Sequence, residues 1–176
     1  MDTHEILMKL KNGELSVEEA EGHLRRQPFE ELGYAKIDTH RKLRSGFPEV
    51  VFCSGKADEH LLEIFGKIYE TEGEVFGTRA SQRQYELLKE RYPDVQYDTV
   101  SGIIKIENPG KEKQGCITVC TAGTSDIAVA EEAAQTAEYF GSYVERVYDV
   151  GVSGLHRLLA NLDTIQKANC IIAVAG

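Results

Sequence analysis

The stretch Cys116-Ile-Thr-Val-Cys120-Thr-Ala-Gly123-Thr-Ser-Asp126 decides the fold. Cys116 to Cys120 read as a continuous apolar strand, as a parallel sheet covered on both faces requires. A polar loop with one glycine follows, and then residues 127–140 read as a helix. Ala130, Ala133, Ala134, Ala137 and Phe140 share one face of that helix, and Gly141 ends it. Tyr143–Tyr148 reads as a second strand. Leu155, Leu158, Leu159 and Leu162 mark another helix, and Cys170–Val174 a third strand. This βαβαβ order predicts parallel pairing through right-handed crossovers.

Working outward, Asn108-Pro-Gly-Lys-Glu-Lys-Gln-Gly115 is polar and aperiodic, and residues 108–115 read as a linker. Residues 34–107 read as a small α/β domain. Its strands are expected near Tyr34–Ile37, Glu49–Cys53, Glu74–Gly77, Val95–Tyr97 and Ile103–Ile106. Its helices are expected from Ala57 to Tyr69, with Leu61, Leu62, Ile64, Phe65 and Ile68 as the apolar face, and from Ser81 to before Pro93. Ser81 and Gln84 have the spacing of a capping box, as do Ser16 and Glu19. A basic turn or helix runs through Arg44. Residues 1–33 read as a weakly apolar, acidic helical hairpin, with Ile6, Leu7 and Leu10 as its first stripe and Gly13 as a stop. It looks like a docking element. Residues 116–176 then form the second α/β region. No repeat or low-complexity tract is present.

The chain has 176 residues, with 41% hydrophobic and 28% charged, an ordinary globular balance. Twenty Lys+Arg stand against 29 Asp+Glu, for a net charge of −9. That balance argues against nucleic acid or an anionic membrane as the main partner, because polyanion binding relies on cationic side chains. No apolar run approaches the ~20 residues that span a bilayer. The start, Met1-Asp2-Thr3-His4-Glu5, lacks the basic and apolar pattern of a signal peptide. A cytoplasmic location is expected. Cys53, Cys116, Cys120 and Cys170 contain no C-x-x-C pair. Cys116 and Cys120 share a strand face, yet lie about 13 Å apart at ~3.3 Å per residue, too far for one metal. Buried, reduced thiols and no metal site are expected.

In open parallel sheets, ligands bind beyond the carboxyl ends of the strands. Two loops fall there. In the first, Gly123 permits close backbone approach, Thr124 and Ser125 offer hydroxyls, and Asp126 a carboxylate; helix capping alone is the competing explanation. In the second, Asp149-Val-Gly-Val-Ser-Gly-Leu-His-Arg157, His156 is suited to proton transfer near neutral pH and Arg157 to holding an anion. The competing explanation is a surface histidine beside the leucine stripe. Together the loops place Ser/Asp and His/Arg at one crevice.

Gly123-Thr-Ser-Asp126 before an Ala-rich helix, Asp149-Val-Gly-x-x-Gly-Leu-His-Arg157, and a final strand ending in Ala-Gly resemble the PurE-type (aminoimidazole ribonucleotide carboxylase-like) fold. Ala130-Glu-Glu-Ala133 and Glu145-Arg-Val-Tyr-Asp-Val-Gly151 are similar to the LarB family of nickel-pincer cofactor biosynthesis. Asp38-Thr-His-Arg41, Arg44-Ser-Gly-Phe-Pro-Glu-Val-Val51 and Thr78-Arg-Ala80 resemble that family's preceding domain. The implied fold class is α/β: a helical hairpin and small α/β domain, then the first βαβαβ part of a PurE-like (flavodoxin- or Rossmann-like) parallel sheet.

The resemblance implies a carboxylase and hydrolase. Nicotinic acid adenine dinucleotide and carbon dioxide or bicarbonate are its substrates, with no permanently bound cofactor. The pyridinium ring is carboxylated and the phosphoanhydride hydrolysed, releasing AMP. An electron-poor ring must first receive a nucleophile, which the family supplies as a cysteine, and the ring proton must then leave to a base. Ser125 and Asp126 match the loop holding the ribose-phosphate side. His156 matches the proton-transfer histidine, with Gly-Leu before it where PurE-type proteins have Ser-Ala. Gly123, Thr124 and Arg157 fall to substrate binding, as do Arg41, Arg44 and Arg79 as anion contacts; solvated surface charge is the competing explanation for those last three. None of the four cysteines matches the family nucleophile, so the chain is expected to be C-terminally truncated and inactive by itself. The full-length family implies a homo-oligomer, an octamer. The competing functions are an aminoimidazole ribonucleotide carboxylase or mutase of purine synthesis, and a non-catalytic nucleotide-binding or assembly module.

Overall fold

A computed structural model of the chain describes residues 3–24, 30–38, 41 and 46–176. The chain divides into two compact units, Met1–Glu49 and Val50–Gly176. In the first, α1 (Thr3–Lys11) packs on α2 (Val17–Leu24), burying Ile6 and Ala20 between otherwise polar faces. Gly13 takes the left-handed conformation that lets the chain turn after α1. The Ser16–Glu19 capping box forms in both directions: Glu19 N donates to Ser16 Oγ at 3.1 Å, and Ser16 N to Glu19 Oε2 at 2.8 Å. Strands β1 (Glu30–Glu31) and β2 (Lys36–Ile37) pair antiparallel, so the expected strand near Tyr34 is limited to its last two residues. Residues 25–29 of the expected hairpin and the basic segment through Arg44 lie outside the described residues, Arg41 excepted.

The second unit contains two sheets. The first has the order β3-β4-β6-β5, from β3 (Val50–Phe52), β4 (Val75–Thr78), β5 (Gln96–Asp98) and β6 (Ile103–Ile106). β3 and β4 run parallel, joined by α3 (Asp58–Glu72), which buries Leu61, Ile64, Phe65 and Ile68. The β4–β6 and β6–β5 pairs are antiparallel. Helix α4 (Gln82–Arg91) starts at the predicted Ser81–Gln84 capping box.

The second sheet is parallel throughout, with the order β8-β7-β9. It comprises β7 (Cys116–Thr121), β8 (Tyr143–Val147) and β9 (Cys170–Val174). Helix α5 (Ile127–Tyr139) covers one face, where Ala130 and Ala134 pack on Val119. The other face gathers Cys120, Val147 and Val150 against Leu158 and Ile165. The class is therefore α/β, with parallel strands where the βαβαβ pattern predicts them.

Helix α5 also serves the first sheet. Its last residue, Tyr139, packs its ring tilted against Phe76 at 4.5 Å between ring centroids and joins Ile103 in a buried cluster. Burial pushes the Tyr139 hydroxyl well above its ordinary range, with Glu74, Glu107 and Glu72 adding to the effect. Residues 108–115 form no helix or strand, yet Lys111 is held firmly. Its Nζ donates to Tyr139 O at 2.9 Å, lies 3.7 Å from the Tyr139 ring centroid, and pairs with the buried Glu74 at 2.6 Å.

Two expectations change. Leu155, Leu158, Leu159 and Leu162 do not line one helix. The segment breaks into α6 (Leu155–Ala160) and α7 (Leu162–Gln166) at Asn161, whose side chain donates to Arg157 O. Of the four leucines only Leu158 packs on the sheet; Leu155 and Leu159 are more than half exposed. The cysteines also divide: Cys53 and Cys120 are buried, Cys116 is half-buried, and Cys170 is exposed, because it starts an edge strand. Among the described residues, no helix is long and apolar enough to cross a membrane.

Candidate functional site

A cavity of about 370 Å³ opens where the parallel strands β3 and β4 end, within the usual range for ligand pockets. Ser54 follows β3 and Arg79 follows β4. The β5–β6 turn, Thr99 to Gly102, forms a wall, and Ala128, Val129 and Glu132 of α5 face it. Both parts of the second unit thus contribute to one concavity.

Arg79 is held in an unusual backbone conformation. Its φ is 55°, in the left-handed region that a side chain of its size rarely occupies. Its neighbours are pinned: Thr78 O accepts from Cys53 N at 2.9 Å, and Ala80 N donates to Gly102 O at 2.8 Å. Tyr97 OH donates to Ala80 O at 3.1 Å. Gly102 is required here, since it has φ 69° and any Cβ would press on Ala80 O at 3.2 Å. The strained residue is fixed from both sides and presents its guanidinium at the cavity. Arg79 Nε pairs with Glu132 Oε2 at 2.7 Å while its side chain stays 51% exposed.

The cavity wall is braced from behind. Asp98 Oδ2 accepts from Ser101 N at 2.9 Å, from Ser101 Oγ at 2.6 Å and from Gln135 Nε2 at 2.9 Å. Partial burial works against the Asp98 carboxylate, but these donors hold its pKa below the ordinary range. One turn before Gln135, Glu131 is clamped to the second sheet. Arg146 Nε donates to Glu131 Oε1 at 2.9 Å, and Tyr148 OH to the same atom at 2.7 Å. Burial opposes the Glu131 charge, while Arg146 and Tyr148 overcome it and lower its pKa. Helix α5 is thus tied to both sheets, and Glu132 faces Arg79 as a result.

The two motif loops lie side by side at the carboxyl ends of β7 and β8. Val150 N donates to Thr121 O at 2.9 Å, Gly151 N to Ala122 O at 3.0 Å, and Asp149 N to Thr121 Oγ1 at 2.9 Å. A side chain at Gly151 would collide with the Ala122 carbonyl. Asp126 is buried and turned inward: its carboxylate accepts from Gly123 N at 2.9 Å and from Gly176 N at 3.3 Å. Thr124 and Ser125 are exposed in a single 3-10 turn before α5. His156 is exposed on α6. Arg157 is paired with Asp149, which itself has φ 57°, and rests against Gly154. Arg79 lines the cavity; His156 and Arg157 do not. Arg41 is exposed in the first unit, and Arg44 lies outside the described residues.

Glu132, Ser54, Tyr97 and the Asp98–Ser101–Gln135 brace were not singled out in the sequence. The available signals were Ser101-Gly102 between two strands, a tight-turn pattern, and Ala130-Glu-Glu-Ala133, which contains Glu132. No cysteine lines the cavity. Burial pushes the Cys53 thiol up to about 12, and Cys120 is raised for the same reason, so neither is a ready nucleophile. Among the described residues, no group of three or more His, Cys, Asp or Glu is placed to hold a metal ion.

A mixed α/β unit with a parallel β8-β7-β9 sheet, and loops gathered at its carboxyl edge, is consistent with a PurE-like α/β fold. The comparisons make this specific. The family described as the LarB/PurE-like N-terminal domain matches residues 29–108. The chain is 34% identical to uncharacterized protein MJ0165 of Methanocaldococcus jannaschii over 183 residues, covering 98% of this chain and 71% of that protein. The chain belongs to the LarB family, whose kinship is with carboxylase-type enzymes.

Proposed function

We propose that the chain serves carboxylation of the pyridinium ring of nicotinic acid adenine dinucleotide, with phosphoanhydride hydrolysis releasing AMP, in nickel-pincer nucleotide cofactor biosynthesis. The observation that carries this reading is the cavity at the β3 and β4 ends, where strained Arg79 presents a cation beside α5. Backbone strain fixed by surrounding structure clusters where a side chain must be aimed at a ligand. In this reading Arg79 meets a phosphate. Thr124 and Ser125, exposed just before α5, and the Gly123 backbone contact the ribose-phosphate side.

Asp126 acts by holding Gly123 in place, since both its oxygens are engaged by backbone N–H groups. His156, exposed on α6, takes the ring proton. Arg157 contacts the substrate anion by exchanging Asp149 for it; Arg41 and Arg44 remain candidate anion contacts of the first unit. The dinucleotide and carbon dioxide or bicarbonate enter as substrates, without a permanently bound cofactor. A cytoplasmic, homo-oligomeric protein with no nucleic-acid or membrane partner fits the acidic composition. The nucleophilic step is assigned to none of the four cysteines.

The test is calorimetric titration of the purified chain with the nicotinate dinucleotide and, separately, with aminoimidazole ribonucleotide. Binding of the dinucleotide supports the reading. Binding of the imidazole nucleotide alone overturns it in favour of a purine-pathway carboxylase or mutase.

A further inference from the structure

The Arg79–Glu132 pair leaves both partners half used. The contact engages Arg79 Nε and Glu132 Oε2 at 2.7 Å. A guanidinium carries five N–H donors, and a carboxylate has a second oxygen with its own lone pairs. No other partner for either side chain is found among the described residues. Glu132 is largely shielded, at 20% exposure, whereas Arg79 is half open to the cavity. The concavity therefore offers an outward donor fork and an acceptor oxygen side by side.

We infer that Arg79 and Glu132 together form a ribose-phosphate reader: Arg79 binds a nucleotide phosphate, and Glu132 accepts hydrogen bonds from the ribose hydroxyls. A bare anion would gain Arg79 but meet the Glu132 charge. A ligand with hydroxyl donors beside its phosphate satisfies both groups. Acidic side chains accept from ribose hydroxyls in other nucleotide sites for the same reason. The pair also explains why the strain at Arg79 is maintained. The left-handed backbone at Arg79 and the brace from Gln135 to Asp98 fix the two sides of the concavity that hold donor and acceptor. This inference rests on the nucleotide reading of the cavity given above and assigns Glu132 as the residue that selects for the sugar.

The experiment titrates the full chain with AMP, with 2′,3′-dideoxy-AMP and with inorganic phosphate, and repeats the series on Glu132→Ala and Arg79→Gly. Alanine is a good helix former and glycine accepts positive φ, so both variants should keep the fold; thermal melts check this. AMP is expected to bind about tenfold more tightly than the dideoxy nucleotide, the effect of one hydrogen bond to a charged group. In Glu132→Ala that ratio falls to about one, and inorganic phosphate binds more tightly. Arg79→Gly weakens all three ligands. Equal affinity for AMP and its dideoxy form, or a ratio unchanged by Glu132→Ala, overturns the inference even if the nicotinate dinucleotide binds. Sugar-selective AMP binding without dinucleotide binding leaves the inference standing and removes the proposed substrate instead.

Discussion

The two places where strand ends meet helices in the second unit use polar groups in opposite ways. At the ends of β7 and β8, two of the residues that look functional, Asp126 and Arg157, are engaged with their own loops. Asp126 holds Gly123 and Gly176, Arg157 holds Asp149, and the loops are joined by three backbone-donor hydrogen bonds. At the end of β4, the arrangement is reversed. Backbone strain is maintained, and a cation is left half open beside a carboxylate. The first region shows how a motif builds a frame; the second shows a group kept available. Motif resemblance reaches both regions, since Thr78-Arg-Ala80 contains Arg79 and Ala130-Glu-Glu-Ala133 contains Glu132, but only the structure separates a group used in the frame from one left open.

The largest effect should come from Asp126→Ala. Removing a buried acceptor of two backbone N–H groups is expected to cost about 2 kcal/mol of stability, read as a lower denaturant midpoint. An unchanged midpoint would mean that the carboxylate is available for chemistry instead. Next in size is a comparison at Arg79. Both Arg79→Ala and Arg79→Gly lose the guanidinium, yet the glycine variant should be the more stable by about 1 kcal/mol, because alanine keeps the left-handed penalty. Equal melting temperatures for the two would show that the strain is absent. Smallest is Arg157→Ala. Its ion pair is 39% and 46% exposed, so stability should change by no more than about 0.5 kcal/mol in chemical denaturation. A loss several times larger would make that loop as dependent on its ion pair as on Asp126.

Much of the frame was legible because it is local. Both capping boxes and the strand–helix alternation follow from spacing within a few residues, and the parallel pairing of β7, β8 and β9 follows from that alternation. Other features depend on tertiary context. The leucines from 155 to 162 have helical spacing, but only a neighbouring surface decides which are covered, and just Leu158 finds one. Tyr139 lies beside the predicted alanine face, and its burial depends on Phe76, which is far away in the chain. The Arg79–Glu132 pair joins a loop residue after β4 to one on α5, far apart in the chain. Nothing in an arginine signals a left-handed backbone; that conformation is imposed by the bonds on Thr78 and Ala80.

The double duty of α5 has a mechanical consequence. Glu132 and Tyr139 are two turns apart on one face of the helix, about 10 Å at 1.5 Å per residue. A ligand that pushed Glu132 outward would have to drag the Tyr139 ring off Phe76 and pull Lys111 from Glu74. Exposing an aromatic side chain of that kind costs on the order of 2 kcal/mol. Swinging one sheet against the other to open the concavity would therefore carry at least that cost. These contacts favour a preformed concavity, one that a ligand would enter with little reorganisation of the helix that lines it.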